Sequence, residues 1–334
     1  CNHFPEQSPG IGKSFRHEGF GLPGVCEDII LTQGTESPAK VFPEADGVQY
    51  GLLLDAEFVL AQIHFKFPVN EAFVMGDTEE DTRAKKNEIS KLQGMESVTD
   101  SSGLRLRMIS EDEARLLNFQ LKYVSLTLIS PLDGNMLRVP PGTPSQKVTS
   151  VCPRECFADS LDRIGETEVY IVAVMNHAHL SATAVYGQIF NLKKKTMDFT
   201  AVDTHWTERL GANETMKILE KPIPITSDTF ISVTCDYNTS DRTTDTFLGT
   251  SLQDEMCQLY LYITPPLPEL SICWHADGGA FGLAENECIA RCGKRPSLKF
   301  NIPRGTSNWL SNTGSFEERD ELSKHWPHPP VCES

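Results

Sequence analysis

Apolar residues run without interruption through Val169-Tyr170-Ile171-Val172-Ala173-Val174-Met175, and the run closes on Asn176-His177-Ala178-His179. β-Branched residues are frequent in it and neither Gly nor Pro breaks it, which predicts a buried strand. Side chains two apart on a strand share a face. His177 and His179 are therefore expected to project together, on a face continued by Val169, Ile171, Ala173 and Met175. Further strands are predicted within 50–67, where Phe58-Val59-Leu60-Ala61-Gln62-Ile63-His64-Phe65 lies, and over 103–109, 117–130, 230–237 and 256–263. Convincing amphipathic helices are scarce, and turn residues recur between the short runs, so an all-β sandwich architecture is expected.

The breaks in this pattern divide the chain. Residues 76–100 are charged and poor in apolar positions, and read as a solvated excursion or a short helix. Pro140-Pro141-Gly142-Thr143-Pro144-Ser145 is a stiff polar linker. It separates an expected domain over 1–140 from a second over 147–273. Beyond Pro265-Pro266-Leu267-Pro268 periodicity fades, and 274–334 reads as an irregular tail rich in Gly, Pro and charge. No solenoid-type repeat is present.

Composition sets the compartment and excludes some partners. At 334 residues the chain can bury a sizeable core. A net charge of −16 argues against a nucleic-acid or anionic-membrane surface, which needs clustered Lys and Arg. Ten scattered cysteines favour disulfides in an oxidising compartment over zinc. Asn213-Glu-Thr and Asn238-Thr-Ser are glycosylation sequons consistent with a secreted or secretory-lumen protein. There is no apolar run of membrane-spanning length. The chain opens on Cys1 and is expected to be a processed or truncated piece.

Two histidines at the end of an apolar strand face suit a chelating pair, with two structural histidines as the alternative. Strand alternation in Asp254-Glu255-Met256-Cys257-Gln258-Leu259-Tyr260-Leu261-Tyr262 puts Met256, Gln258, Tyr260 and Tyr262 on one face, and Cys257, Leu259 and Leu261 on the other. A thioether is a soft ligand suited to Cu(I), and imidazole serves both copper oxidation states. His177, His179 and Met256 would together make a copper site able to cycle. Taken alone, Met256 reads first as a core methionine filling a gap.

Together, His177-Ala-His179-Leu180, Cys235-Asp-Tyr-Asn-Thr-Ser-Asp-Arg242, and Glu255-Met256-Cys257 with Tyr260 resemble the copper type II, ascorbate-dependent monooxygenases, most closely the dopamine β-monooxygenase-like branch. The resemblance covers roughly residues 1–273, with several separated motifs in the right order. It implies two jelly-roll-like β-sandwiches in tandem, each holding one copper, followed by the irregular disulfide-linked tail. It further implies ascorbate as electron donor, and O2 with a small molecule, such as an aromatic amine, as substrates. By this resemblance His177, His179 and Met256 match the second, oxygen-activating copper site. His64 matches part of the first site, and Tyr260 a position lining the substrate pocket.

Also by resemblance, Cys1 pairs with Cys26, Cys152 with Cys273, and Cys235 with Cys257. Cys156 matches a cysteine that bonds into the tail, at Cys288 or Cys292. Cys332 matches one whose partner lies upstream, and a leftover tail cysteine would alternatively link two chains as a dimer. Two departures matter. The family's first site uses a His-His pair just before the cysteine that Cys1 matches; neither His3 nor His17 fits it, so this chain alone is expected to be inactive. The arginine that peptide-amidating members place two residues before the His-x-His is Met175 here, which argues against peptide amidation because a substrate carboxylate loses its bidentate partner.

His205, His275, His325 and His328 form no ligand pattern and read as surface residues. Two other classes stay open. One is a catalytically inactive, secreted copper-binding or matrix protein of the same fold. The other is a zinc hydrolase built on His177 and His179, which lacks a well-placed Glu or Asp.

Overall fold

The computed structural model describes residues 44–45, 48–52, 109–116, 120–131, 137–194, 196–203, 216–249, 254–267, 270–277, 287–292 and 298–301. Strands β1 (Glu44–Ala45), β2 (Val48–Leu52), β3 (Gln120–Ile129), β4 (Arg138–Val139) and β5 (Gln146–Cys152) come first. Next are β6 (Glu168–Ala178), β7 (Ala182–Asn191), β8 (Thr196–Asp203), β9 (Lys217–Thr226) and β10 (Thr229–Tyr237). The last are β11 (Thr246–Phe247), β12 (Cys257–Thr264), β13 (Ile272–Asp277), β14 (Glu287–Cys292) and β15 (Leu298–Asn301). Two helices, α1 (Glu111–Leu116) and α2 (Arg154–Ile164), accompany them among the described residues.

Two sheets face each other. The larger runs β15-β14-β13-β3-β12-β6-β9, with β2 paired to β3 and β1 to β2; the smaller runs β5-β10-β7-β8. Between them lies an apolar core to which the larger sheet contributes Ile129, Val169, Ile171, Val174, Leu259, Leu261 and Ile263. Val148, Val151, Val185, Ile189, Ile231 and Val233 answer from the smaller sheet. This is the all-β sandwich expected from the alternation of short apolar runs and turns. β3 precedes the Pro140–Ser145 segment yet pairs with β12, so the larger sheet reaches across that segment.

Disulfides join the two layers. Cys152 on β5 bonds Cys273 on β13, and Cys235 on β10 bonds Cys257 on β12, with sulfur separations of 2.09 and 2.07 Å. The layers also approach closely at Gly187 on β7. A Cβ there would stand 2.7 Å from Leu259 Cδ1 and 2.9 Å from Cδ2, and Leu259 is fully buried with little room to rotate away. Gly187→Ala is expected to destabilise the domain by about 1–3 kcal/mol through overpacking, read as a lower urea midpoint with an unchanged slope.

Strands β5, β7, β8 and β9 form where no strand was expected, and the structure departs from the sequence reading in three further places. First, β6 carries a register break at Val172. Ile171 pairs with Ile263 and Ala173 with Tyr262, and on the other side Ile171 pairs with Ile223 and Ala173 with Ile218. One extra residue reverses the phase of alternation. Val169 and Ile171 therefore pack into the core between the sheets, whereas Ala173 and Met175 join the cluster on the opposite side of the sheet. His177 shares its face with Ala173 and Met175 and not, as expected, with Val169 and Ile171.

Second, α2 is an amphipathic helix where none was expected. It buries Cys156, Phe157, Ser160 and Leu161 on one side and ends on Gly165, whose φ of 70° is the left-handed cap conformation. Third, the stretch from 274 is not irregular throughout. β14 and β15 extend the larger sheet beyond β13. Strands of six and four residues flanked by Gly and Pro are too short for their alternation to stand out.

Candidate metal centre

β6 and β12 run side by side and antiparallel, and their register builds the site. Cys257 pairs with Ala178, Gln258 with His177, Tyr260 with Met175 and Tyr262 with Ala173. Cys257, Leu259 and Leu261 enter the core between the sheets, and Tyr260 and Tyr262 pack with Ala173 and Met175 on the other side. Met256 immediately precedes β12 and His179 immediately follows β6. The three soft or borderline donors are thereby brought to one end of one strand pair.

Their geometry is close. His177 Nε2 lies 3.3 Å from Met256 Sδ. The His177 and His179 rings stand edge-to-face, with centroids 5.3 Å apart and planes at 88°. His179 and Met256 are buried, and His177 is half-buried. With bonds of about 2.0–2.1 Å from nitrogen and about 2.3 Å from sulfur to a first-row ion, two cis ligands sit roughly 3.1–3.6 Å apart. The nitrogen–sulfur distance found falls within that window, so the donor set fits a soft ion such as copper.

Backbone contacts orient the donors. His179 Nδ1 donates to the carbonyl of Asp254 at 3.0 Å, which leaves Nε2 as the ring's lone-pair donor. Tyr237 OH donates to the Met256 carbonyl at 2.8 Å, fixing the backbone from which the thioether springs. Burial holds the Tyr237 phenol well above its ordinary pKa, reinforced by the negative charges of Glu255 and Asp236, so it stays a donor. The Cys235–Cys257 disulfide anchors the next residue to the opposite sheet.

Glu255 is the buried charged residue beside these donors that sequence reasoning passed over. Its side chain is fully buried. Oε2 accepts the His179 N–H at 3.0 Å, and Oε1 accepts the Ser181 N–H at 2.6 Å together with the Ser181 hydroxyl. Burial pushes its carboxyl up, opposed by the hydrogen bonds from Ser181 and His179 and by the Arg242 guanidinium 3.9 Å away. With both oxygens engaged by these donors, Glu255 does not supply the carboxylate ligand a zinc hydrolase would want. Glu255 and Arg242 both stand in the motifs quoted above; a charge placed next to a buried strand end was the available signal.

Other expected site residues are distributed as follows. Tyr260 is buried on the same face as the site, its hydroxyl donating to Gln258, which stands opposite His177. Asn238 is exposed in a turn in which its side-chain oxygen accepts the Ser240 N–H at 3.0 Å. Cys152, Cys156 and Cys273 sulfurs lie within 4.8 Å of one another. All three are oxidised as disulfides, so they offer no thiolate to a metal. His64, Cys1, Cys26, Asn213 and Cys332 lie outside the described residues, as do the side chains of Cys288 and Cys292.

The disulfide-stapled sandwich thus brings two imidazoles and a thioether together at one strand end. Residues 125–278 match the family described as copper type II ascorbate-dependent monooxygenase, C-terminal domain. The match begins inside β3, the strand that completes the larger sheet from ahead of the Pro140–Ser145 segment. The chain is 27% identical over 243 residues to human DBH-like monooxygenase protein 1, and 26% identical over 243 residues to the mouse protein; each alignment covers 72% of this chain and 33% of the relative. Against dog dopamine beta-hydroxylase identity is 23% over 250 residues, covering 75% of this chain and 34% of that protein. The family resemblance read from the motifs is borne out. The chain spans about a third of the length of the curated relatives it matches.

Proposed function

We propose that this chain contributes the oxygen-activating half of a copper- and ascorbate-dependent monooxygenase that hydroxylates a C–H bond of a small substrate, such as an aromatic amine. The observation that carries the reading is the 3.3 Å approach of His177 Nε2 to Met256 Sδ, with the His179 ring beside them. His177, His179 and Met256 would hold the second copper. That ion supplies one-electron chemistry with O2, taking electrons that originate in ascorbate. The soft thioether favours the reduced ion. Asp254 and Glu255 fix the tautomer and backbone of His179, and Tyr260 lines the substrate pocket.

The remaining assignments complete this reading. Residues 1–140, apart from β3, which pairs with β12, would form the partner copper domain, with His64 as one ligand of its ion, and 147–273 the bulk of the second. Cys1–Cys26 would staple the first domain, and Cys156 would bond into the tail at Cys288 or Cys292, both on β14. Glycans on Asn213 and Asn238 and the observed disulfides agree with a secretory lumen or the extracellular space. Among the described residues no helix is long and apolar enough to cross a membrane.

The test is a Cu(I) titration of the 334-residue protein against a chelator of known affinity, followed by oxygen uptake with ascorbate and phenethylamine. One Cu(I) held through sulfur and imidazole, with a hydroxylated product whenever the first copper domain is complete, is the expected result. Absence of tight Cu(I) binding overturns the reading. Copper bound without any hydroxylation by the complete protein would instead identify a copper-binding protein of the same fold.

A further inference from the structure

Residues 254–256 grip the chain around His177–Ser181 at three successive points. The Asp254 carbonyl accepts from the His179 ring at 3.0 Å. Glu255 accepts the His179 and Ser181 N–H groups and the Ser181 hydroxyl. Met256 Sδ stands 3.3 Å from the His177 ring. Only Glu255 makes its contacts through a charged side chain, and that side chain is fully buried.

The far side of Glu255 is held as well. Its N–H donates to the Phe247 carbonyl at 2.9 Å, and its carbonyl accepts from the Gly249 N–H at 3.2 Å. Arg242, whose Nη2 lies 3.9 Å from Oε1, is pinned through Nη1 to the Thr246 hydroxyl at 2.7 Å. A buried carboxylate is costly unless its lone pairs are filled. Here they are filled by the backbone of the histidine segment. The stretch bearing Met256 and the stretch bearing both histidines therefore cannot separate without stranding a buried carboxyl group and the N–H groups it accepts.

We propose that Glu255 is a positioning residue for the second copper, its carboxylate fixing the separation between the His177–His179 segment and the Met256 thioether before any metal arrives. The inference rests on the copper reading above. It extends that reading to a residue that touches neither metal nor substrate and acts through the backbone of the ligands. Groups of this kind typically change metal affinity 10–100-fold when removed.

Glu255→Gln preserves volume but turns an NH2 group toward a donor, so one anchor is lost. The expected result is a Cu(I) affinity lower by roughly 10–100-fold, with the copper–sulfur signal in X-ray absorption weakened and the copper–nitrogen signal kept. Because Glu255 acts by holding the histidine segment at a fixed distance from the thioether, the same change made on top of Met256→Ile should cost less than it does in the wild-type protein. A role in fold stability alone would lower the melting temperature yet leave copper–sulfur scattering intact in the folded fraction, and that outcome overturns the proposal. Should Glu255→Gln not fold, Ser181→Ala removes one donor and keeps the carboxylate; weaker copper–sulfur scattering then supports the proposal, and unchanged scattering overturns it. Failure of the underlying copper reading is distinct, because wild-type protein would then show no copper–sulfur signal at all.

Discussion

Serine at both Cys152 and Cys273 is expected to remove about 5 kcal/mol of stability through loop-closure entropy alone. The bridge spans 121 residues and ties β5 of the smaller sheet to β13 of the larger. Both sulfurs are fully buried, so each serine would also strand a hydroxyl in the core. Domains of this size are stable by about 5–15 kcal/mol in all, so the double variant should unfold at far lower denaturant or fail to accumulate. Both cysteines must be replaced together. A single replacement leaves a thiol near Cys156, whose sulfur lies within 4.8 Å of the pair, and thiol–disulfide exchange would follow. The Cys235–Cys257 bridge closes a separation of 22 residues, and its removal should cost less, about 3 kcal/mol. Urea denaturation of both double variants beside the wild type checks the order. Equal midpoints for Cys152→Ser/Cys273→Ser and wild type would show that the inter-sheet staple contributes nothing.

Much of the architecture was legible because burial imposes periodicity on sequence. The runs over 169–179, 230–237 and 256–263 fold as β6, β10 and β12, and the alternation read in 257–262 sends Leu259 and Leu261 to one face and Tyr260 and Tyr262 to the other. The same rule failed in the first half of β6. A bulge at Val172 changes the phase of the strand, and an extra valine in a valine-rich run leaves no trace in composition. Because the bulge lies upstream of Ala173, the pairing of His177 with Gln258 was unaffected.

Helix α2 escaped notice for a different reason. Its apolar positions, Cys156, Phe157, Leu161 and Ile164, are few and are mixed with Arg154, Glu155, Asp159, Asp162 and Arg163. Pro153 before it and Gly165 after it were the legible signals, as helix start and stop. Glu255 was hidden by its own chemistry. Carboxylates are read as solvated by default, since they are almost never fully buried unless paired, and the pairing here is with backbone N–H groups of the β6–β7 turn, 74 and 76 positions away. Such a partnership has no local spacing to betray it. The Arg242–Glu255 approach is equally non-local, and only the fold brings the two together.

Met256→Ile is expected to keep the fold and to lose Cu(I) affinity by roughly 100-fold or more, beyond what loss of an outer contact costs. The two side chains are close in volume, and a buried swap of this kind costs less than about 1.5 kcal/mol. Isoleucine is also at ease next to a strand. The Tyr237 hydroxyl bonds the residue's carbonyl and the Cys235–Cys257 bridge holds its neighbour, so neither restraint depends on the side chain. What disappears is the sulfur 3.3 Å from His177 Nε2. Two imidazoles remain, and they bind Cu(II) as readily as Cu(I), so the preference for the reduced ion should fall along with the affinity. A methionine that merely fills a gap makes the opposite prediction: Cu(I) affinity, measured by chelator competition under anaerobic conditions, would match that of the wild type while stability shifts slightly. The urea midpoint and the copper titration on the same preparation therefore separate a ligand from a packing residue.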